Sequence, residues 1–356
     1  MARRRKRKSV VRVGVIGAGG IGRAAHLPGY QACETAEITA VADVNEENAR
    51  RAAEEFDIPN VFTDYRDLLA MKEIDAVSVC TPNFMHMKPT VDALNAGKHV
   101  ICEKPIARNA KEGRAMVAAA KRNRRKFMVA LQWRFRSESQ TLKRYIDAGD
   151  LGDIYHAHAR ALRRRGIPGW GDFVDKEKAG GGPLIDIGVH ILDTTLWLMG
   201  HPKPVTVSGV TYAKFGHRKD VVGHMGQWDV KRFSVEDLAV GMVRFANGAS
   251  LVLEASFVAN LKENVFNTHV YGTEGGASLM PLEIFGERHR VVTDTTFPRL
   301  PKVKAHTAEI EAFVEAVRSD TPVPIPGEEA LMVTEILDAI YKSAATGREV
   351  RIAKKQ

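Results

Sequence analysis

Three ionisable side chains stand in settings that suit proton and hydride chemistry. Asp186 and His190 lie four residues apart in the stretch Gly180-Gly181-Gly182-Pro183-Leu184-Ile185-Asp186-Ile187-Gly188-Val189-His190-Ile191-Leu192-Asp193. On a helix that spacing puts both on one face. A histidine with a carboxylate one turn away is a candidate general base. The imidazole takes a hydroxyl proton, and the acid orients and stabilises the resulting imidazolium. The glycines just before them are expected to let backbone approach a ligand. Lys104 follows a buried apolar run and precedes Pro105, at the edge where open α/β sheets bind ligands. Its ammonium suits a developing alkoxide. Each has a plainer reading: Lys104 as a surface turn lysine, His190 as a structural helix histidine. Asp186, His190 and Asp193 also invite a metal reading. They offer one nitrogen ligand with no second His or Cys nearby, so no metal is expected.

Such groups need a hydride carrier, because the hydride chemistry belongs to a cofactor. Gly17-Ala18-Gly19-Gly20-Ile21-Gly22 follows an apolar strand pattern and opens a helical one, which is the context a dinucleotide fingerprint requires. Gly17 is expected to make the tight turn, Gly19 to admit the pyrophosphate, and Gly22 to pack helix on strand. The helix N-terminus then favours the anion. Asp43 ends the next strand pattern, 21 residues past Gly22. It suits the adenosine ribose hydroxyls and would repel a 2′-phosphate. Val44 and Asn45 bring no cation, so NAD is expected in preference to NADP.

The elements that must position these groups alternate along residues 10–132. Strand patterns cover Val10–Ile16, Glu37–Ala42, Asp75–Cys80, Lys98–Cys102 and Phe127–Leu131. Helical patterns cover Gly22–Cys33, Asn45–Phe56, Phe84–Ala96 and Ala110–Arg122. Alternation of this kind predicts parallel βαβ units, an N-terminal Rossmann domain. Residues 133–356 read differently. Helical patterns at Ser137–Ala148 and Ile185–Met199 flank a strand pattern at Ile154–Leu162. Strand patterns then crowd Val205–Val270, with an Asn247-Gly248 hairpin signal. Helices follow near Thr307–Val317 and Glu328–Ala345. That predicts an α/β chain whose C-terminal substrate and oligomerisation domain is α+β, with a large open, mostly antiparallel sheet.

Composition is ordinary for a globular protein: 44% hydrophobic and 27% charged over 356 residues,. No apolar run approaches the length that spans a membrane. The three cysteines, Cys33, Cys80 and Cys102, form no metal or redox spacing,. They read as reduced thiols of a cytoplasmic protein. Six charges of the +9 total sit in the tip MARRRKRK; subtracting them leaves +3. Residues 1–9 are expected to be a frayed basic tip rather than a nucleic-acid domain, and no nucleic-acid or membrane partner is expected.

Several segments together resemble the Gfo/Idh/MocA family of glucose–fructose oxidoreductase and inositol dehydrogenase. They are GAGGIG, CTPNFMH, CEKPIA, GGGPLIDIGVHILD, VEDLAVGMVRFANGA and VYGTEGG. The resemblance runs from about Val10 to Arg351. It implies Lys104, Asp186 and His190 as catalytic residues. It implies Thr81, Asn83, His86, Glu103, Lys104 and Pro105 as neighbours of the dinucleotide, beside Gly17, Gly19, Gly20, Ile21, Gly22 and Asp43. Trp133 and Arg134 stand where many members carry Asn-Arg or a similar pair, and the resemblance places them beside the dinucleotide as well. Trp170 resembles an aromatic that reaches cofactor or substrate. The family implies a homodimer or homotetramer built on the C-terminal sheet.

Its activities leave two enzymatic readings. One is an NAD-dependent dehydrogenase of a free sugar or polyol. The other cleaves glycosides by transient oxidation with recycled NAD. A non-catalytic dinucleotide sensor would not need Lys104, Asp186 and His190 together. Arg163 and Arg165 would share a face if the strand continued through them, and arginine forks suit carboxylate or phosphate. An acidic sugar is therefore an expectation about the substrate, set against a solvated basic strand.

Overall fold

The computed structural model describes residues 10–352, and every count below refers to them. The basic tip lies outside the described residues. The chain divides into two compact units. One holds residues 10–135 together with Lys304–Leu331. The other holds Arg136–Val303 and residues 332–352.

The first unit is built on six parallel strands: β1 (Val11–Ile16), β2 (Ala36–Ala42), β3 (Asn60–Phe62), β4 (Ala76–Val79), β5 (His99–Glu103) and β6 (Phe127–Ala130). Their order is β3-β2-β1-β4-β5-β6. Val11, Val13 and Val15 of β1 and Val77 and Val79 of β4 are fully buried, as a parallel sheet covered on both faces demands. The order reverses between β1 and β4. The crevice at that switch point, outside the strands' carboxyl ends, is where such sheets bind ligands. Helices flank the strands with ordinary capping. Asn45 accepts the Glu47 and Asn48 N–H groups at the start of Glu46–Phe56, and Asn109 accepts that of Glu112.

The domain boundary expected at residue 132 needs correcting, because Lys304–Leu331 returns to this unit. Helix Ala305–Ser319 buries Ile310, Phe313, Val314 and Val317. A Cβ on Gly29 would come within 3.0 Å of Ile310, so that glycine lets the helix approach. Val129 of the edge strand β6 donates to Ile325 O at 3.2 Å, which covers part of that edge,.

The second unit carries nine strands: β7 (Ile154–Leu162), β8 (Pro204–Tyr212), β9 (Leu238–Phe245), β10 (Ser250–Ser256), β11 (Val265–Gly272), β12 (Gly275–Ser278), β13 (Glu283–Arg288), β14 (Val291–Thr296) and β15 (Val350–Arg351). They run in the order β14-β13-β12-β11-β7-β10-β9-β8-β15. Neighbours are antiparallel except β7 and β10. The β9–β10 hairpin turns at Asn247-Gly248, where Gly248 has φ 88°. One sheet face is buried through Ala157, Ala159, Ala161, Leu251, Leu253 and Ala255. The helix Val189–Leu198, buried at all but one of its residues, packs there. The other face is open and bears Val210, Tyr212, Met242 and Tyr271, each more than 40% exposed.

Candidate active site

The glycine turn after β1 separates into two kinds of position. Gly17 has φ 98°, and a Cβ there would lie 2.6 Å from Cys80 O. A Cβ on Gly22 would lie 2.3 Å from Gly17 O. Both glycines are required by the protein's own packing. Gly19 and Gly20 meet nothing within 4 Å, so open space suited to a pyrophosphate lies over them. Ile21 precedes a π-turn at Gly22–His26, which runs into the helix Leu27–Gln31. Asp43 Oδ2 accepts the Ala18 N–H at 2.8 Å, and Oδ1 accepts that of Asn45 at 2.9 Å. The carboxylate thus holds the glycine turn and keeps lone pairs for ribose hydroxyls. These features fit a dinucleotide. Val44 beside it is 88% exposed. Asp43→Ala with Val44→Arg should move the NADP-to-NAD ratio of kcat/KM upward by about 10- to 100-fold, the worth of one charge-assisted contact. An unmoved ratio would mean that the ribose is held elsewhere.

The loops after β4 and β5 meet through His86. Its side chain is buried, with Nδ1 2.7 Å from Pro105 O and Nε2 2.8 Å from Thr81 O. Burial lowers its pKa, against the pull of the two carbonyls and of Glu103. Glu103 is also buried and turns toward His26 and the Lys104 N–H. Thr81 Oγ1 is buried with no hydrogen-bond partner among the described residues. Asn83 starts a short 3₁₀ turn, Asn83–Met85. Trp133 and Arg134 lie in another, Gln132–Phe135. Arg134 is 2% exposed and pairs with Glu329. His86, Glu103 and Arg134, expected beside the dinucleotide, all direct polar groups to partners within the protein.

In the second unit Asp186 lies in a π-turn, Leu184–Gly188, that continues into the helix of His190. The wider i→i+5 turn keeps a separation of four close to one full revolution, and π-turns are frequent at functional sites. His190 is 8% exposed and the Asp186 side chain 12%. The glycine cluster differs from the sequence expectation. Gly180 has φ 91° and ends the helix Lys176–Ala179. A Cβ on Gly181 would lie 2.0 Å from the Tyr341 hydroxyl, and one on Gly182 2.2 Å from Glu236 O. Internal packing, not ligand approach, requires Gly181 and Gly182.

Glu236 is the residue that sequence reasoning missed. Its buried carboxylate accepts the N–H groups of Gly182 and Leu184 at 3.0–3.1 Å and the Tyr341 hydroxyl at 2.8 Å. Burial raises its pKa, although these donors pull the other way. The available signal was two adjacent acids, Glu236 and Asp237, immediately before β9. Replacing Glu236 by leucine strands buried donors, which cost about 1–3 kcal/mol each. Urea unfolding should show a loss of about 2–4 kcal/mol. Unchanged stability would mean that the donors find other acceptors.

The paired-arginine expectation also needs correcting. β7 ends at Leu162, so strand alternation does not extend to Arg163 and Arg165. Arg163 lies 3.9 Å from Asp186 and 5.6 Å from the Phe257 ring centroid. Burial lowers its pKa and Asp186 opposes that. Arg165 instead donates to Asn260 Oδ1 at 2.7 Å and stacks near Phe215. Trp170 is 55% exposed and meets Phe173 edge-on. Among the described residues no three His, Cys, Asp or Glu side chains gather as a metal-ligand set. No described helix is long and apolar enough to cross a membrane.

Comparison with known proteins extends this geometry. Residues 11–131 match the model of an oxidoreductase family with an NAD-binding Rossmann fold, GFO_IDH_MocA. Residues 139–278 match the GFO/IDH/MocA C-terminal domain. The chain belongs to the Gfo/Idh/MocA family, and it is an oxidoreductase. The D-glucoside 3-dehydrogenase of Escherichia coli K12 is 35% identical over 345 residues, 97% of this chain and 98% of that protein. The levoglucosan dehydrogenase of Pseudarthrobacter phenanthrenivorans is 32% identical over 74% of this chain and 72% of its own. A solved structure of levoglucosan dehydrogenase with NADH superimposes with a TM-score of 0.85 at 27% identity, covering 97% of this chain and all of that one.

Proposed function

We propose that this oxidoreductase transfers a hydride between NAD and a secondary ring hydroxyl of a hexose or hexoside. The observation that carries the reading is the full-length similarity to a D-glucoside 3-dehydrogenase, which spans both units. Bound NAD supplies the hydride acceptor. Gly19 and Gly20 leave room for its pyrophosphate, and Asp43 takes the ribose hydroxyls and disfavours the 2′-phosphate of NADP. His190 accepts the hydroxyl proton as the C–H hydride leaves. Asp186 orients the imidazole and stabilises its cation, and Lys104 stabilises the alkoxide. The open indole of Trp170 suits the apolar face of a pyranose. Arg163, beside Asp186, is the cation that suits an acidic substituent; Arg165, tied to Asn260, is left out of this reading. The same family supports self-association over the open sheet face around Val210, Tyr212, Met242 and Tyr271.

The test is a panel of glycosides, hexoses, inositols and uronic acids with NAD, read by NADH absorbance and product chromatography. Accumulating NADH with an oxidised glycoside supports the dehydrogenase. Glycoside loss without NADH replaces it by cleavage with recycled NAD.

A further inference from the structure

The first unit buries a polar chain that the proposed chemistry leaves unused. Glu103 directly precedes Lys104 and is 5% exposed. Its Oε1 lies 3.0 Å from His26 Nε2, and its Oε2 accepts the Lys104 backbone N–H at 3.0 Å. His26 is 1% exposed and closes the π-turn that begins at Gly22. Its Nδ1 lies 3.0 Å from Ser78 Oγ on β4, which lies 2.8 Å from the Tyr30 hydroxyl. Burial acts to raise the Glu103 pKa. The bond from His26 and the pull of His26, Lys104 and His306 outweigh it and leave the pKa below the ordinary range.

We infer that the His26–Glu103 pair is a positioning brace for Lys104, joining the glycine turn that receives the dinucleotide to the loop that carries the lysine. The inference rests on the reading of Lys104 as a catalytic residue. A buried polar pair contributes little net stability compared with apolar residues of the same volume, so stability does not explain its presence. Its geometry does: one carboxylate fixes both the end of the first helical turn and the Lys104 amide. A side chain displaced by about 1 Å from its productive position loses on the order of 10²-fold in rate.

The double variant His26→Leu/Glu103→Leu separates positioning from stability. Three quantities are measured: amide hydrogen exchange at Lys104, NADH affinity by fluorescence titration, and kcat on the best glycoside of the panel. The expected protein is folded and binds NADH within about threefold of the parent. Its Lys104 amide exchanges about tenfold faster, as befits one lost hydrogen bond. Its kcat falls by about 10- to 100-fold with KM little changed. A folded variant with unchanged exchange and kcat within about twofold of the parent overturns the brace. Lys104→Ala runs beside it. Full activity in that variant, with faster Lys104 exchange in the double variant, removes the catalytic reading of Lys104 and leaves the brace standing. If the double variant does not fold, Glu103→Asp decides. The shorter side chain draws the carboxylate back from His26 and the Lys104 N–H, which the parent holds at 3.0 Å each, so faster Lys104 exchange with lower kcat supports the brace, and parental kcat whatever the exchange overturns it.

Discussion

Replacing His190 by alanine should lower kcat by roughly 10²- to 10⁴-fold, the usual contribution of a positioned general base, with little change in NADH affinity. The residue sits in a helix buried at nearly every position, so truncation leaves the backbone carrying Asp186 in place. A base must be neutral to accept a proton. The parent's kcat/KM should therefore fall on the acid side of its pH profile, and that limb should vanish in the variant. Asp186→Asn should give a smaller loss of kcat and a further loss of stability. Arg163 lies 3.9 Å from that carboxylate, and the amide leaves its half-buried charge without the counter-charge. Stopped-flow kinetics on the substrate found in the panel, with the pH profile of each variant, checks both. A parental pH profile in His190→Ala would assign the proton to another group.

How much of this was legible in the sequence depends on how local each signal is. β1, β2, β4, β5 and β6 are short, largely buried apolar runs, and the helices Glu46–Phe56 and Ala110–Asn123 between them carry side-chain caps. Their alternation with helices is what predicted parallel βαβ units. β3 escaped because Asn60, Val61 and Phe62 are only half-buried and three residues show no period. The return of Lys304–Leu331 escaped for a different reason. An amphipathic helix announces that it has an apolar face, not which surface that face covers. Its partner, Gly29, lies at the other end of the chain.

Site residues divide in the same way. Gly17 and Gly22 sit in a motif whose spacing encodes the turn. Glu236 acts on Gly182 across 54 residues of sequence, and nothing around it announces that contact. Arg163 and Arg165 were misplaced because strand alternation was carried past Leu162, where the strand ends. The inward bonds of His86, Glu103 and Arg134 are likewise tertiary. A family position says that a residue stands near the cofactor edge, and only coordinates say whether it faces the ligand or holds the wall behind it.

Lys104→Ala separates those two roles at the other edge of the chemistry. The backbone at Lys104 is set by Glu103 Oε2 and by the His86 contact to Pro105 O, and neither involves the lysine side chain. Truncation should therefore leave the loop, the glycine turn and NADH affinity intact. On the proposed role, what is lost is the charge that stabilises the alkoxide, and a preorganised donor of that kind is worth about 10²–10³-fold in kcat. Lys104→Arg keeps the charge but spreads it over a wider, planar head, so it should recover only part of the rate. Lys104→Met, of similar length without charge, should behave like alanine. The measurement is single-turnover NADH formation beside an NADH binding titration for all three. If methionine restores the rate, Lys104 acts by packing and the alkoxide is stabilised elsewhere. If NADH affinity falls together with kcat in all three, the lysine holds the cofactor rather than the reacting oxygen.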